Sequence, residues 1–427
     1  MNQAVTFEVG TLRVICAPSA TDVVYAGIAM DAGTRDEHPE ESGMAHLVEH
    51  MTFKGTQQRS SMQILNRMES VGADLNAFTG KEETVYYSVF MREHLARAID
   101  LLLDIVFNST YPQQELTKEV EVVCDEIESY NDSPAELIYD DFESQLFPDH
   151  PLGRNILGRA ERLRSYSSAD LKAFTQRLYL PERAVLFVMG RVKPSQVERI
   201  VTRAICHTFT DPTTSLLMPT TAQRGFPALS SPPRTRPQAQ LVSTPQYIVN
   251  KPVHQAHVMA GAAALPITHP HYMAQVLLNN MLGGPGLNSR LALALRERRG
   301  LVYTVESTLT AYTDTGVWSI YFGCDPNDVR RCLRLVRNEL SRLVDHVVTP
   351  RTLAAAKRQM KGQLGISYDN FENVAIGMAK RYLHYGLVTT PAEIMAQIDA
   401  LTSEDLLQTA VEVFHPDNIK TLIYMPE

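Results

Sequence analysis

Two histidines four residues apart, His46 and His50, bracket Glu49 in the stretch GMAHLVEHMTFKGT at residues 43–56. Met44, Leu47, Val48 and Met51 give this stretch an apolar face at helical spacing. On a helix His46 and His50 project about 40° apart, one turn above the other, so both imidazoles can reach one ion. Glu49 falls on the same side, about 60° from His46, where a carboxylate could take a proton from a metal-activated water. Catalytic zinc takes three protein ligands and keeps a fourth position open. Two histidines therefore require a third ligand, usually a carboxylate.

The best source of that carboxylate is LTKEVEVVCDEIESY at residues 116–130. Leu116, Val120, Val123 and Ile127 form an apolar stripe, with Glu119 and Glu126 two turns apart along its edge. Glu121, Asp125 and Glu128 fall on the opposite, solvent side. A carboxylate at the margin of a core is costly unless it is paired or binds a metal. Glu115 shares the Glu119 side, so spacing alone leaves Glu115, Glu119 and Glu126 open.

The elements that must position these residues recur. Ser168, Asp170, Leu171, Tyr179 and Pro181 match Ser403, Asp405, Leu406, Phe414 and Pro416, each pair 235 residues apart. Both segments predict a capped helix, an X-Pro break and an apolar strand. Pro112 and Tyr130 match Pro350 and Tyr368 at a separation of 238. Strands at 84–91 and 316–323 precede long helical segments, among them 93–107. The pattern predicts an α+β fold of two homologous domains, each a mostly antiparallel sheet with helices on one face. The expected division is 1–207, a Pro-, Thr- and Ser-rich linker at 208–240, and 241–427.

The order H-x-x-E-H is that of the inverzincins. With ADLNAFTGKEETVYY and HPLGRNILG, the sequence resembles the pitrilysin family of zinc metallopeptidases, which includes insulysin and the processing peptidases. The resemblance implies one zinc ion per chain, held by His46, His50 and Glu126, which lies 76 residues after the second histidine. It implies Glu49 as general base and Glu119 as a supporting catalytic residue. It gives His150 a structural role. It implies that Arg296 and Tyr303, in GGPGLNSRLALALRERRGLVYTV, hold the substrate backbone and stabilise the developing oxyanion. Asn76, Ala77 and Phe78 fall in a segment resembling an edge strand that pairs with an extended peptide. Such enzymes resemble a clamshell of four related domains. This chain supplies two, which implies a homodimer or a heterodimer with a related chain.

The repeat is an internal control. At equivalent positions Glu119 becomes Lys357, Glu126 becomes Leu364, His46 becomes Gln275 and His50 becomes Asn279. The expected function is zinc-dependent endopeptidase action on peptides or unfolded segments, carried by the first half. The alternatives are a catalytically silent scaffold or partner subunit and a zinc hydrolase of small molecules.

The other features are bland. HQAH at 254–257 and HPH at 269–271 crowd the start of the second half, and are expected to be structural rather than a second metal site. GGPG at 283–286 lacks a following GK[ST] and predicts a tight turn rather than a phosphate loop. A formal net charge of −8 without basic runs argues against a nucleic-acid partner. No stretch is long and apolar enough to span a bilayer, so no membrane association is expected. Five scattered cysteines without a CxxC pair, and no signal-peptide pattern, predict a reducing, cytoplasmic setting.

Overall fold

The computed structural model describes residues 3–208 and 246–427, so the segment at 208–240, apart from Thr208, lies outside the described residues. The first half runs β1 (Val5–Val9), β2 (Leu12–Pro18), β3 (Val23–Met30), α1 (Met44–Thr52), α2 (Ser61–Glu69), β4 (Asp74–Thr79), β5 (Thr84–Met91), α3 (Leu95–Phe107), α4 (Gln113–Asn131), α5 (Pro134–Leu146), α6 (Ala160–Leu163), α7 (Ser168–Leu178), β6 (Ala184–Gly190) and α8 (Pro194–Thr208). The second runs β7 (Gln246–Lys251), β8 (Ala256–Ala264), α9 (Tyr272–Gly283), β9 (Val302–Ala311), β10 (Gly316–Cys324), α10 (Val329–Asp345), α11 (Pro350–Ser367), α12 (Phe371–Tyr385), α13 (Pro391–Ala400), α14 (Ser403–Phe414) and β11 (Lys420–Pro426).

The two sheets repeat one plan. The strand order is β1-β2-β6-β3-β5-β4 in the first and β7-β11-β8-β10-β9 in the second. Apart from the extra β1, each strand has its counterpart. The pairing is antiparallel except between β2 and β6 and between β7 and β11. Helices α7 and α14 open on matching capping boxes, Ser167 with Asp170 and Thr402 with Asp405.

The compact units do not follow the linear halves. One takes the described residues through Glu128, those from Arg154 to the end of α8, and Tyr368–Thr390. The other takes Ser129–Gly153, those from β7 through Ser367, and Pro391–Glu427. Helices α5 and α12 are thus exchanged. Ile138 and Phe142 of α5 pack on Met259, Tyr321 and Leu422 of the second sheet. Ala375, Ala379 and Leu383 of α12 pack on Ile15, Val85 and Phe187 of the first. The cause is visible in β6, whose seven residues are all buried. A strand apolar on both faces needs cover on both. The half's own helices, α1, α3 and α8 among them, close one face around Val14, Ile28 and Leu186. The exchanged helix closes the other, so the expectation of helices on one face describes only each half's own share.

Candidate metal centre

Helix α1 is anchored at its start by Gly43 and Glu37. Gly43 sits at φ +81°, and a Cβ there would lie 2.7 Å from the Leu157 carbonyl oxygen. A carboxyl oxygen of Glu37 accepts the amide of Gly43 at 3.2 Å and the other accepts that of Ala45 at 2.9 Å. Carboxyl oxygens at a helix N-terminus satisfy amides that the helix itself leaves free. Burial pushes the Glu37 carboxyl up to about 8, against those amide bonds and Arg154, which lower it. Met44, Leu47, Val48 and Met51 are fully buried in the first unit's core, fixing the rotation of α1.

That rotation brings His46 and His50 together, with ring centroids 4.6 Å apart at 70°. Glu126, exposed on α4, places Oε2 3.9 Å from His46 Nε2 and 3.6 Å from His50 Nε2. One ligand atom from each of the three residues lies within 4.8 Å of the others. The N···O separations exceed a hydrogen bond. Around a tetrahedral zinc with bonds of ~2.0–2.1 Å, neighbouring ligands lie roughly 3.3 Å apart. Two imidazoles and a carboxylate at these distances fit zinc.

Glu119 occupies the layer behind. Its Oε1 is 3.0 Å from His50 Nδ1, and its Oε2 is 2.5 Å from Lys54 Nζ. Burial would raise the Glu119 carboxyl, but His50 and Lys54 outweigh it and hold it below its ordinary value. An ionised carboxylate only accepts, so the His50 proton sits on Nδ1 and leaves the Nε2 lone pair on the Glu126 side. Burial also opposes charge on His50, but Glu119, Glu49 and Glu126 together raise it. Burial, then His50, push His46 down to about 3, leaving it a neutral imidazole at physiological pH. Its Nδ1 is buried without a hydrogen-bond partner, so packing alone orients this ring.

Glu49 is buried, and its Oε2 accepts Thr79 Oγ1 at 2.5 Å. Burial, and the nearby Glu126, raise its carboxyl against the opposite pull of Thr79 and His50. Thr79 ends β4, which carries Asn76, Ala77 and Phe78 and pairs on one side with Tyr87, Tyr86 and Val85 of β5. Strand β4 stands last in its sheet order.

Glu115, left open by spacing, bonds Lys118 at 2.8 Å and is not in the metal cluster. His150 accepts the Leu152 amide at its Nδ1 at 3.2 Å, a structural bond. Arg296 lies on a π-helical turn, Ala292–Glu297, and its guanidinium stands 5.6 Å from the centroid of the Tyr303 ring on β9. Tyr303 is 86% exposed.

The counterparts in the second unit do structural work. Gln275 accepts the Leu265 amide at 2.9 Å. Asn279 exchanges bonds with Ser307 at 2.6 and 3.1 Å. Lys357 donates to the carbonyls of Asp399 and Leu401 at 2.9 and 2.6 Å, and Leu364 packs against the core. Lys54, Thr79 and Glu37 were missed by sequence reasoning. Lys54 follows His50 by four residues, a spacing that could have shown it. Thr79 and Glu37 reach the site only through the fold.

Residues 13–160 match the insulinase family, peptidase family M16, and residues 165–360 match the M16 inactive domain. "Uncharacterized zinc protease YmxG" of Bacillus subtilis is 31% identical over 94% of this chain and 92% of its own length. An "uncharacterized zinc protease" of Rickettsia bellii is 29% identical over 92% of this chain and 90% of its own. The crystal structure of a protease from Helicobacter pylori shares the fold at TM-score 0.85 and 22% identity, covering 99% of both chains.

Proposed function

The chain belongs to the insulinase (M16) peptidase family, and we propose that it is a zinc-dependent endopeptidase acting on peptides or unstructured polypeptide segments. The observation that carries this reading is the convergence of His46, His50 and Glu126 beside a buried glutamate, Glu49. His46, His50 and Glu126 would hold the ion. Zinc, when bound, supplies Lewis-acid charge to a peptide carbonyl and to water.

The chain's own groups do the rest. Glu49, whose carboxyl is raised by burial, accepts a proton from the attacking water and returns it to the leaving amine. Thr79 fixes one Glu49 oxygen and leaves the other for proton transfer. Glu119 holds the His50 ring through Nδ1. An extended peptide adds along Asn76–Phe78, and Thr79 at the end of that strand touches the base. Arg296 and Tyr303, assigned by family resemblance, hold the substrate backbone. The working particle is a dimer of this chain or a pair with a related chain. One of its two sheet units carries the metal set and the other carries structural residues in its place.

The test is cleavage of a peptide library by the metal-stripped chain with and without added zinc. Cleavage that depends on zinc supports the reading. A folded, zinc-loaded chain that cuts no peptide overturns it and favours the scaffold role.

A further inference from the structure

The histidines at the start of the second half divide into two kinds. His257, on β8, is buried and satisfied. Its Nδ1 lies 2.9 Å from the Tyr321 hydroxyl, and the rings stack 6.2 Å apart. His269 and His271 are different. They flank Pro270 just before α9, with ring centroids 5.5 Å apart at 74°. His271 Nδ1 is buried without a hydrogen-bond partner. The bond at His269 Nδ1 comes from the His271 amide at 3.2 Å, at the long end of the range, and ligation can displace it.

Helix α14 packs on α9 and brings Glu412 to the pair. One ligand atom each from His269, His271 and Glu412 lies within 4.8 Å of the others, the same convergence that marks His46, His50 and Glu126. The resemblance to zinc peptidases gives these residues no role. We propose that His269, His271 and Glu412 form a second divalent-metal site, within the unit that lacks the catalytic ligand set.

The donor set selects the metal class. Two imidazoles and one carboxylate suit zinc and its first-row neighbours, whereas calcium and magnesium require oxygen ligands. His269 and His271 also line a cleft of about 560 Å³ with Gln397 and Asp405, which gives the ion an entry path. Glu412 and Asp405 add negative charge around the pair. His271 is the N-cap of α9, and Glu412 lies in the last turn of α14. A bound ion therefore staples two helices that the fold already packs together, and its effect is on stability.

The experiment is equilibrium dialysis of the metal-stripped full chain against Zn²⁺ alone, for the wild type, H269Q/H271Q and E412Q. The wild type is expected to take up one more zinc per chain than H269Q/H271Q. E412Q should weaken the weaker of the two binding steps by about tenfold or more, since even losses behind the ligands cost roughly 10–100-fold. Saturating zinc should raise the thermal midpoint of the wild type further than that of H269Q/H271Q. Identical isotherms for the wild type and H269Q/H271Q overturn the proposal. Should H269Q/H271Q fail to fold by circular dichroism, E412Q decides, because Glu412 is exposed. An unchanged second step in E412Q overturns the proposal. These readouts do not use peptide cleavage, so they are independent of the catalytic reading.

Discussion

Glu119 Oε1 lies 3.0 Å from His50 Nδ1 while its Oε2 contacts Lys54 at 2.5 Å. One carboxylate thus fixes both the tautomer and the ring plane of His50, a ligand in the proposed metal site. Glu119→Gln should keep the fold and weaken zinc binding by about 10–100-fold, the range for groups behind a ligand. Competition of the variant with a zinc-sensitive dye measures this. Wild-type affinity in the variant would remove Glu119 from the site.

Gly43 should tolerate no side chain. Its left-handed φ costs an alanine about 1–2 kcal/mol, and the Leu157 carbonyl adds a close contact. Gly43→Ala should lower the thermal midpoint and also weaken zinc binding, because it shifts the start of the helix that carries His46. A destabilised variant with unchanged zinc affinity would show that α1 is positioned by its core face alone.

Acid should loosen the exchanged helix α12. Glu83 bonds His384 Nε2 at 2.9 Å and Lys380 at 2.5 Å, both on α12. Burial works to raise the carboxyl, but the bonds from His384 and Lys380 outweigh it and hold it at about 2, against an ordinary 4.5. A depressed acid stabilises the fold above its unfolded value and loses that contribution as pH falls through its folded value. Wild-type stability should therefore drop between about pH 4.5 and pH 2 by on the order of 3 kcal/mol from this group. Denaturant unfolding of Glu83→Gln should show a lower stability at pH 7 and a shallower acid slope. Parallel slopes for the two proteins would contradict the assignment.

Tyr303 is too exposed to hold the fold. Its contact with Arg296 is worth about 0.5–1 kcal/mol at such a site. Tyr303→Phe should leave unfolding nearly unchanged and lower kcat by about 100-fold if its hydroxyl stabilises an oxyanion. Steady-state kinetics beside a melting curve separates the two effects. Unchanged kcat would leave Tyr303 as a surface aromatic.

Local periodicity made much of this legible. The apolar faces of α1 and α4 put His46, His50, Glu119 and Glu126 at the margin of the core, spacing left Glu115 open beside them, the family resemblance singled out Glu126, and the repeat aligned Gln275, Asn279, Lys357 and Leu364 with the four. The helix exchange was not legible in full. The continuous apolar run of β6 demands cover on both faces, yet nothing local says that α12, nearly two hundred residues later, supplies it. Thr79 and Glu37 reach the site by strand register and loop path, which no residue spacing encodes.

In the proposed function Glu49 moves the proton while His46, His50 and Glu126 hold the metal. Glu49→Gln tests it in one preparation, with bound zinc and peptide cleavage measured side by side. Zinc binding is expected at the wild-type level, with a rate of peptide cleavage lower by about 10²–10⁴-fold. A variant that retains both zinc and full cleavage would contradict this role of Glu49.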